Sequence, residues 1–331
     1  LKKDCPDILH LQFDISSFML LIIPLHLLLS RLHRKTTIKL VATYHEAYRD
    51  KGLYGPLSVI FYRHFSRPFD RIYVHTQASK ACCTTHYRVP ADKIMCIPHG
   101  AFDFPSKVKN HAVLRTRYGI GEDEQVVLNF GYIYKTKGLE FLIDAAAHLK
   151  KQGMQLPTFI IAGRVPKRSG LVRLFQYRNE RYLAGLKAKI KDEGLEAHFR
   201  FIGYVEQQEV YSLFTLAQVI VLPYLSIDQS GVLNTAIAAS TPVLASNIGG
   251  IGETLKEAGI LVEPRDSQAI ADNLQLLLSN PQKLADMRKA YSSLAKTLSS
   301  QGLVRSLLSD YRSLISIKGT APLTGERRGR V

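Results

Sequence analysis

The sequence predicts an α/β protein with two doubly wound units, each a parallel sheet covered by helices. Short apolar, β-branched runs alternate with helix-like segments along most of the chain. The alternation stops in a polar, irregular stretch over residues 101–121 and then starts again. The length of 331 residues also fits two domains of roughly 150 residues each. We therefore place the boundary near residue 110.

The first predicted unit, residues 1–110, opens with a strand and alternates from there. The predicted strands cover residues 7–13, 38–44, 71–76 and 93–97, and the predicted helices cover 18–33, 57–66 and a short segment from Gln77. The apolar run over 18–29 falls short of the roughly 20 residues that span a bilayer, and Pro24 interrupts it. A helix buried on the sheet is the favoured interpretation. A membrane-surface helix and a membrane span stay open.

The second predicted unit, residues 111–295, repeats the alternation with more strands. The predicted strands cover residues 126–130, 158–162, 199–202, 219–223, 243–245 and 260–262, with helices between them. Residues 266–316 have a helical pattern throughout, and the segment 296–317 is predicted as a C-terminal helix that packs back on the first unit. The tail over 318–331 carries Gly, Pro and Arg without an apolar period, which predicts disorder.

Composition limits the function classes. Hydrophobic residues make up 46% and charged residues 22%, which excludes wholesale disorder. The chain has 44 Lys and Arg against 28 Asp and Glu, a formal net charge of +16 that indicates an anionic partner. Because the 4 cysteines form no C-x-x-C pattern, a disulfide framework or zinc site is not expected. Without a recognisable signal peptide, these features predict a reducing, cytoplasmic location.

One loop of the second unit has the features of a phosphate site. Over residues 131–138 a strand ends in Gly131, two lysines (Lys135 and Lys137) follow, and a helix begins at once. A glycine lets the backbone approach a ligand, and lysine neutralises phosphate. The alternative is that both lysines lie in solvent at a helix start.

A second loop precedes another predicted helix. Its side chains can cap that helix, and the backbone N–H groups at its start would point at a diphosphate. The residues concerned are Asp228, Gln229, Ser230, Gly231 and Val232. Plain N-capping is the alternative. A third loop, residues 247–253, is rich in glycine and is either ligand-permissive or simply a turn.

Two histidines follow strands of the first unit. His45 stands at the carboxyl end of a predicted buried strand, where ligand sites of α/β sheets form. It suits hydrogen bonding to a sugar or proton relay, with a structural role as the alternative. His99 follows the last predicted strand and is expected on the acceptor side of an interdomain cleft. No metal-binding motif occurs in the sequence, so no metal ligand is predicted.

An ordered set of motifs, from residue 5 to about residue 315, resembles the retaining glycosyltransferases of family 4. Those enzymes have the GT-B architecture of two facing Rossmann-like domains. The motifs are Asp7 to Phe13, Thr43 to His45, His75 to Ser79, Ile97 to Gly100, Asn129 to Gly138, Ile161 to Arg164, Phe201 to Val205, Val221 to Tyr224, Gln229 to Val232, Thr241 to Ala245, Gly249 to Glu253 and Leu261 to Pro264.

The resemblance implies a nucleotide-sugar donor on the second domain and an acceptor on the first. Lys137 matches the diphosphate-binding lysine of the family. The segment Gly203, Tyr204, Val205 matches the loop that meets the base, and Ser230 to Val232 match the helix start that cradles the diphosphate. His45 matches a histidine close to the transferred sugar.

The chain departs from the family pattern in three respects. Tyr132 and Tyr134 occupy places where the family has an arginine, so Lys135 or Arg164 would have to supply the second charge. The second of two glutamates around the diphosphate helix is absent. Set against the family it resembles, the chain also enters at a later strand, which predicts an incomplete first domain with an exposed sheet edge.

From these observations the sequence predicts a retaining hexosyltransferase that moves a sugar from a nucleotide donor to a lipid-linked or polysaccharide acceptor. Lys137 and His45 are the candidate catalytic residues. The nucleotide sugar is a substrate, and neither cofactor nor metal is expected. The basic first unit and its apolar helix suit peripheral docking on an anionic membrane.

Three alternatives remain at this point. The first is a nucleotide-binding GT-B module without transferase activity, suggested by the missing arginine, glutamate and strands. A nucleotide-sugar epimerase on the same fold is the second. The third is nucleic-acid binding, prompted by the charge of +16 but disfavoured because no recognised nucleic-acid module occurs.

Overall fold

The structure is a computed structural model that describes residues 6–13, 21–45, 55–104, 108–166, 173–227, 229–255 and 258–316. The chain divides into two compact units. The first contains Leu1–Pro98 together with Gln301–Val331, and the second contains His99–Ser300. The predicted disordered tail lies outside the described residues.

The first unit contains a parallel sheet whose strands follow chain order. Its described strands are β1 (Ile8–Phe13), β2 (Lys39–Tyr44), β3 (Arg71–Val74) and β4 (Ile94–Cys96), paired as β1-β2-β3-β4. In the β1–β2 register, Gln12 lies opposite Thr43. Because side chains alternate between the two faces of a strand, Leu40, Ala42 and Tyr44 share one face of β2. All three are buried in the larger core of this unit.

Helices cover that face of the first sheet. They are α1 (Ile22–Lys35), α2 (Gly55–Phe65) and α3 (Gln77–Ala81), the last continuing into a π-helical turn at Cys82–His86. Helix α1 starts later than residue 18, and the residues before Leu21 lie outside the described part. This start places Pro24 in the first helical turn, where a missing N–H costs no helical hydrogen bond. Leu29 of α1 is buried, as the interpretation of a helix packed on the sheet requires.

The second unit contains a parallel sheet of six strands within the described residues. They are β5 (Val126–Phe130), β6 (Thr158–Ala162), β7 (Phe199–Gly203), β8 (Val219–Leu222), β9 (Val243–Ser246) and β10 (Ile260–Val262). Their order is β10-β9-β8-β5-β6-β7. The central strands are fully buried, with Leu128, Ile160 and Ile220 at 0% exposure. A strand buried on both faces is a continuous apolar run, which is why these strands were predictable from sequence.

The helices of the second unit connect these strands. They are α4 (His111–Tyr118), α5 (Leu139–Lys151), α6 (Arg173–Asp192), α7 (Gln207–Leu216), α8 (Gly231–Ala238), α9 (Gly249–Leu255), α10 (Ser267–Leu278) and α11 (Pro281–Thr297). The predicted strand–helix alternation and the predicted α/β class are confirmed by both sheets.

The division of the chain differs from the boundary expected near residue 110. The irregular segment after Pro98 already belongs to the second unit, because its backbone bonds there. Ala101 N–H donates to the Leu298 carbonyl over 2.9 Å, and Asn110 N–H donates to Ser212 Oγ over 3.1 Å. A polar composition made this segment look like a linker, although its main chain is bonded to the second unit.

The last described helix, α12 (Ser300–Ser316), joins the first unit from Gln301 onward. Leu314 of α12 packs on Val41 and Tyr73, on the sheet face opposite to α1 and α2. Asp310 of α12 accepts two hydrogen bonds from the Arg71 guanidinium, at 3.0 and 3.1 Å, and one from the Tyr73 hydroxyl at 2.7 Å. The first sheet is therefore covered on both faces.

Candidate functional site

A cavity lies at the carboxyl edge of the second sheet, where the strand order reverses. Strands β6 and β7 continue from β5 on one side, and β8, β9 and β10 lie on the other. Connections on either side of such a reversal diverge and leave a crevice outside the strand ends. A cavity of about 450 Å³ occupies this position. It is lined by the loops after β5, β6 and β7 and by the first turn of α8.

Glycines allow these loops to approach one another closely. Gly138 has φ +63°, and a Cβ there would lie 1.9 Å from the Pro223 carbonyl oxygen. A Cβ on Gly163 would lie 1.8 Å from the Gly131 carbonyl oxygen. Hydrogen bonds then fix the loops, with Gly131 N–H donating to the Ala162 carbonyl over 2.9 Å. Close approaches of main chain thus hold the loops of the cavity wall together.

Lys137 provides a cation in this cavity. Its Nζ lies 3.8 Å from the centroid of the buried Tyr224 ring, a cation–π contact. Among the described residues, no carboxylate lies within ion-pair distance of this ammonium group. Burial lowers the pKa of Lys137 to about 8. Burial disfavours the charged form of Lys137, and an anion bound in the cavity would stabilise that charged form.

A second cation, Arg164, lines the same cavity from the loop after β6. Its guanidinium carbon lies 4.9 Å from the centroid of the Tyr204 ring. Tyr204 and Tyr132 are 58% and 50% exposed, so both rings offer open faces at the cavity. Exposed aromatic rings of this kind stack with planar ligands.

The start of α8 forms another wall. Ser230 is buried and caps the helix, its Oγ accepting from Leu233 N–H over 3.2 Å. Gly231 and Val232 line the cavity directly. The first N–H groups of a helix and its dipole favour an anion at this position. Thr235 also lines the cavity, and its hydroxyl donates to the Gly231 carbonyl over 2.8 Å.

The structure brings together most of the donor-site residues predicted from sequence. Those that line the cavity are Gly131, Lys137, Arg164, Tyr204, Val205, Gly231 and Val232. Four further predicted residues do not line the cavity directly. Gly203 ends β7 with φ +73°, and Ser230 and the half-buried Gln229 precede α8. Lys135 is exposed in the 3₁₀ turn Lys135–Lys137. Asp228 lies outside the described residues.

Sequence reasoning did not assign a site role to several lining residues. These are Phe130, Tyr132, Tyr134, Ala162, Gly163 and Thr235. Tyr132 and Tyr134 were identified only as departures from the family pattern. The available signal was position, because these residues end a strand, follow one, or lie in α8 at the reversal point of the sheet.

The two candidate histidines lie in different units. His45 follows β2 in the first unit, and its Nε2–H donates to Gln12 Oε1 over 2.8 Å. Its ring centroid is 5.2 Å from that of His75. His99 is the first residue of the second unit rather than part of the first, because the backbone bonds described above begin just after it. Its side chain is exposed, with Nδ1 3.2 Å from the Gly100 carbonyl oxygen.

Neither a metal-binding cluster nor a membrane-spanning helix occurs in the described part of the chain. In the described ranges, no group of three or more His, Cys, Asp or Glu side chains is arranged to hold a metal ion. Each helix of the same ranges is either too short or too polar to cross a bilayer.

Both parts of the chain match models of known protein families. Residues 111–293 match the family model of the glycosyl transferases group 1, and residues 1–101 match that of Glycosyltransferase Family 4. The chain belongs to the glycosyl transferases group 1 family. Its second unit, with the cavity, is the part covered by the group 1 match.

Curated relatives cover a part of this group 1 chain. It is 26% identical over 225 residues to the alpha-D-kanosaminyltransferase of Streptomyces kanamyceticus, which covers 66% of this chain and 54% of the relative. It is 26% identical over 245 residues to the D-inositol 3-phosphate glycosyltransferase of Rhodococcus jostii, covering 73% and 52%. The chain thus spans about half the length of the curated relatives it matches.

Solved structures of the same fold cover nearly the whole chain. The sucrose-phosphate synthase of Thermosynechococcus elongatus matches with a TM-score of 0.75 at 21% identity, covering 96% of this chain and 75% of that one. Anabaena HepE, in complex with UDP and glucose, matches with a TM-score of 0.73 at 20% identity, covering 93% and 78%. The predicted GT-B fold is confirmed. Retention of configuration and a missing N-terminal part stay predictions.

Proposed function

We propose that this group 1 chain transfers a hexosyl group from a nucleoside diphosphate sugar to an acceptor hydroxyl with retention of configuration. The observation that carries the proposal is the cavity at the reversal point of the second sheet. Lys137, Arg164 and the start of α8 converge there. None of the described lining residues is Asp or Glu, so the cavity suits a ligand with at least two negative charges.

The cations would act on the leaving group. As the bond between the sugar C1 and the diphosphate oxygen breaks, negative charge grows on the diphosphate. Lys137, Arg164 and the N–H groups of Gly231 and Val232 would stabilise that charge, an effect of about 3 kcal/mol for one such donor. The acceptor oxygen bonds to C1 on the face that the diphosphate leaves, and its proton passes to a diphosphate oxygen. This route needs no protein nucleophile.

The remaining predicted residues have roles in the same proposal. Tyr204 and Val205, after Gly203, would contact the base, and Gln229, with Asp228, would contact the donor near α8. Lys135 is the weaker candidate for the second charge, because it is exposed in the 3₁₀ turn whereas Arg164 lines the cavity. His45 would contact the transferred sugar and His99 the acceptor.

The proposal includes no metal, because fixed cations and the helix dipole take the charge that a metal would otherwise take. We therefore expect transfer rates to stay within twofold of the untreated enzyme after exhaustive treatment with EDTA. A loss of activity that Mg²⁺ or Mn²⁺ restores would contradict this part of the proposal.

The acceptor is proposed to be lipid-linked or a growing polysaccharide at the inner face of the cytoplasmic membrane. The support comes from α1 and the residue before it, where Leu21, Ile23, Leu27 and Leu28 are more than half exposed. Arg31, Arg34 and Lys35 follow in the same helix and are exposed as well. An apolar ridge followed by basic residues suits peripheral docking on anionic lipid.

Vesicle sedimentation tests this docking. We expect the protein to sediment with vesicles of anionic lipid at low salt and to remain in solution with neutral vesicles. Leu27→Glu should abolish sedimentation, whereas the control Leu276→Glu, at an exposed leucine of α10, should leave it unchanged. Equal sedimentation of both variants would exclude α1 as the docking element.

Two observations favour a second candidate, a nucleotide-binding module without transferase activity. Tyr132 and Tyr134 stand where the family has an arginine, and the Thr235 hydroxyl is committed to the Gly231 carbonyl. Such a module would bind the nucleoside diphosphate without turnover.

A donor panel separates the two candidates. The full chain is incubated with UDP-, GDP- and ADP-sugars and with candidate glycan or lipid-linked acceptors, and the product is analysed by NMR. UDP-glucose is the first donor to use, because the Anabaena structures hold UDP, glucose and UDP-glucose. A product with the anomeric configuration of the donor supports the proposal, and an inverted product excludes retention. Donor binding without product from the whole panel favours the second candidate.

A further inference from the structure

A series of hydrogen bonds crosses one face of the first sheet, from the end of β2 to α12. His45 Nε2 lies 2.8 Å from Gln12 Oε1, and Gln12 Nε2 lies 3.3 Å from His10 Nε2. His10 Nε2 is also 2.8 Å from Thr43 Oγ1. At the far end, His10 Nδ1 is hydrogen-bonded to the Tyr311 hydroxyl. The series therefore links the candidate catalytic histidine to the C-terminal helix.

Strand register brings these side chains together. His10 and Gln12 are two residues apart on β1 and so share a face of the sheet. Gln12 lies opposite Thr43 in the parallel pairing of β1 with β2. The backbone of His45 is held as well, because its N–H donates to the Phe13 carbonyl over 3.1 Å. The position of each ring is thus fixed by the pairing of two strands.

The amide of Gln12 determines where the histidine protons lie. An amide oxygen only accepts, so His45 must carry its proton on Nε2. The amide nitrogen of the same side chain only donates, so His10 Nε2 must be unprotonated and accept. The proton of neutral His10 then lies on Nδ1 and is donated to the Tyr311 hydroxyl oxygen. One glutamine orientation therefore sets both tautomers.

The far end of the series is anchored firmly. Tyr311 follows Asp310, whose carboxylate is bound by the Arg71 guanidinium and the Tyr73 hydroxyl. The His10 ring also packs against Tyr73, with centroids 5.5 Å apart. Burial, with a smaller contribution from His45, lowers the pKa of His10. A neutral His10 at pH 7 is what the arrangement of donors and acceptors requires.

We propose that Gln12 is a positioning residue for His45, holding its imidazole with the proton on Nε2 through a hydrogen-bonded series that ends at Tyr311 of α12. The role of this series in sugar transfer rests on the proposed function. The tautomers themselves do not, because they are a property of the folded chain without any donor.

The first experiment measures the tautomers directly. Two-bond ¹H–¹⁵N correlation spectra of the ¹⁵N-labelled full chain at pH 7 report which ring nitrogen of each histidine carries the proton. We expect Nε2–H for His45 and Nδ1–H for His10 in the wild type. Gln12→Leu should change the signals of both rings. Gln12→Glu keeps the oxygen that accepts from His45, so His45 should retain Nε2–H while His10 changes. Gln208→Leu, at an exposed glutamine of α7, is the matched control.

The second experiment measures transfer with the same variants. Because misorientation of a reacting group slows turnover more than it weakens binding, Gln12→Leu should lower kcat about tenfold with the donor KM within about twofold. Gln12→Glu should restore most of kcat, and Tyr311→Phe should have an effect between those of the two Gln12 variants. Thermal unfolding midpoints within 2–3 °C of wild type would show that a variant is folded.

The outcomes separate the two proposals. Unchanged histidine signals in folded Gln12→Leu would overturn the positioning role, and so would changed signals with unchanged kcat. If the wild type has the expected tautomers and Gln12→Leu alters them, but no donor gives product with the wild type, the transfer function fails while the tautomer assignment stands.

Discussion

The two sheets form their carboxyl edges in different ways. In the second unit the strand order reverses between β8 and β5, and the diverging loops leave a cavity. Close main-chain approaches at Gly138 and Gly163 hold its walls in place. In the first unit the described strands β1 to β4 follow chain order. The edge near His45 is held by hydrogen bonds between side chains, which connect His45 through Gln12 and His10 to Tyr311. Side-chain replacement should therefore leave the shape of the cavity intact, whereas it should disrupt the histidine series.

The largest expected effect comes from a glycine of the cavity wall. In Gly138→Ala the new Cβ would meet the Pro223 carbonyl oxygen at 1.9 Å. We expect a loss of about 4 kcal/mol in the free energy of unfolding of the second unit. Gly153→Ala is the control, because Gly153 also has positive φ but has nothing within 4 Å of a Cβ, and it should cost about 1 kcal/mol. Urea unfolding measures both. Equal losses would show that the close approach of main chains does not define the cavity.

The next effect is on turnover. Lys137→Ala should lower kcat at least a hundredfold, because it removes a partly buried cation from the leaving group. Arg164 is more exposed, so Arg164→Ala should cost about tenfold. Lys151→Ala, at an exposed lysine of α5, should have no effect. Steady-state kinetics with saturating donor provide the comparison. Full activity of Lys137→Ala with an unchanged unfolding midpoint would remove this lysine from the mechanism.

A smaller effect is expected on the anchor of α12. Asp310→Asn weakens the bonds from Arg71 and Tyr73 and should lower the free energy of unfolding of the first unit by about 2 kcal/mol. Asp286→Asn is the control, since Asp286 pairs with Lys289 at 4.0 Å on the surface and should cost almost nothing. Urea unfolding measures the loss, and calorimetry measures nucleotide affinity, which should be the same in both variants. Reduced affinity in Asp310→Asn would show that the donor site depends on the first unit.

The smallest effect is a pH dependence of binding. The Lys137 pKa of about 8 means that the free protein loses this positive charge as pH rises above that value. A bound diphosphate stabilises the ammonium form, so its pKa rises and binding near pH 8 takes up a proton. Affinity should fall by up to about tenfold per pH unit above pH 8. Lys137→Arg should abolish the dependence, because guanidinium stays charged. Calorimetric titrations in buffers of different ionisation enthalpy detect the proton.

The two units also differ in how far the sequence alone predicted them. The cavity of the second unit was predictable because Gly131, Lys137 and the start of α8 directly follow buried strands. Parallel strands place such residues at one edge of a sheet. The sequence alone did not show that Arg164 lines the cavity and Lys135 does not, since it places both after strands. Only the 3₁₀ turn shows that Lys135 is exposed.

In the first unit the sequence identified His45 but not its partners. The bonds to Gln12 and His10 depend on the register of β1 against β2, which no local pattern specifies. The bond from His10 to Tyr311 joins residues 301 positions apart. The two compact units divide after Pro98, earlier than the boundary placed near residue 110, because polar composition does not show that backbone groups after Pro98 bond to the second unit.

The most direct test of the central assignment is a calorimetric titration of the full chain at pH 7 with UDP and with uridine, followed by the GDP and ADP pairs. The account predicts that one nucleoside diphosphate binds at least tenfold more tightly than its nucleoside. It also predicts that this difference becomes clearly smaller in Lys137→Ala, where Arg164 and the start of α8 remain, while the affinity for the nucleoside is unchanged. Equal affinities for diphosphate and nucleoside across all three pairs, or an undiminished difference in folded Lys137→Ala, would contradict a diphosphate site at the reversal point of the second sheet.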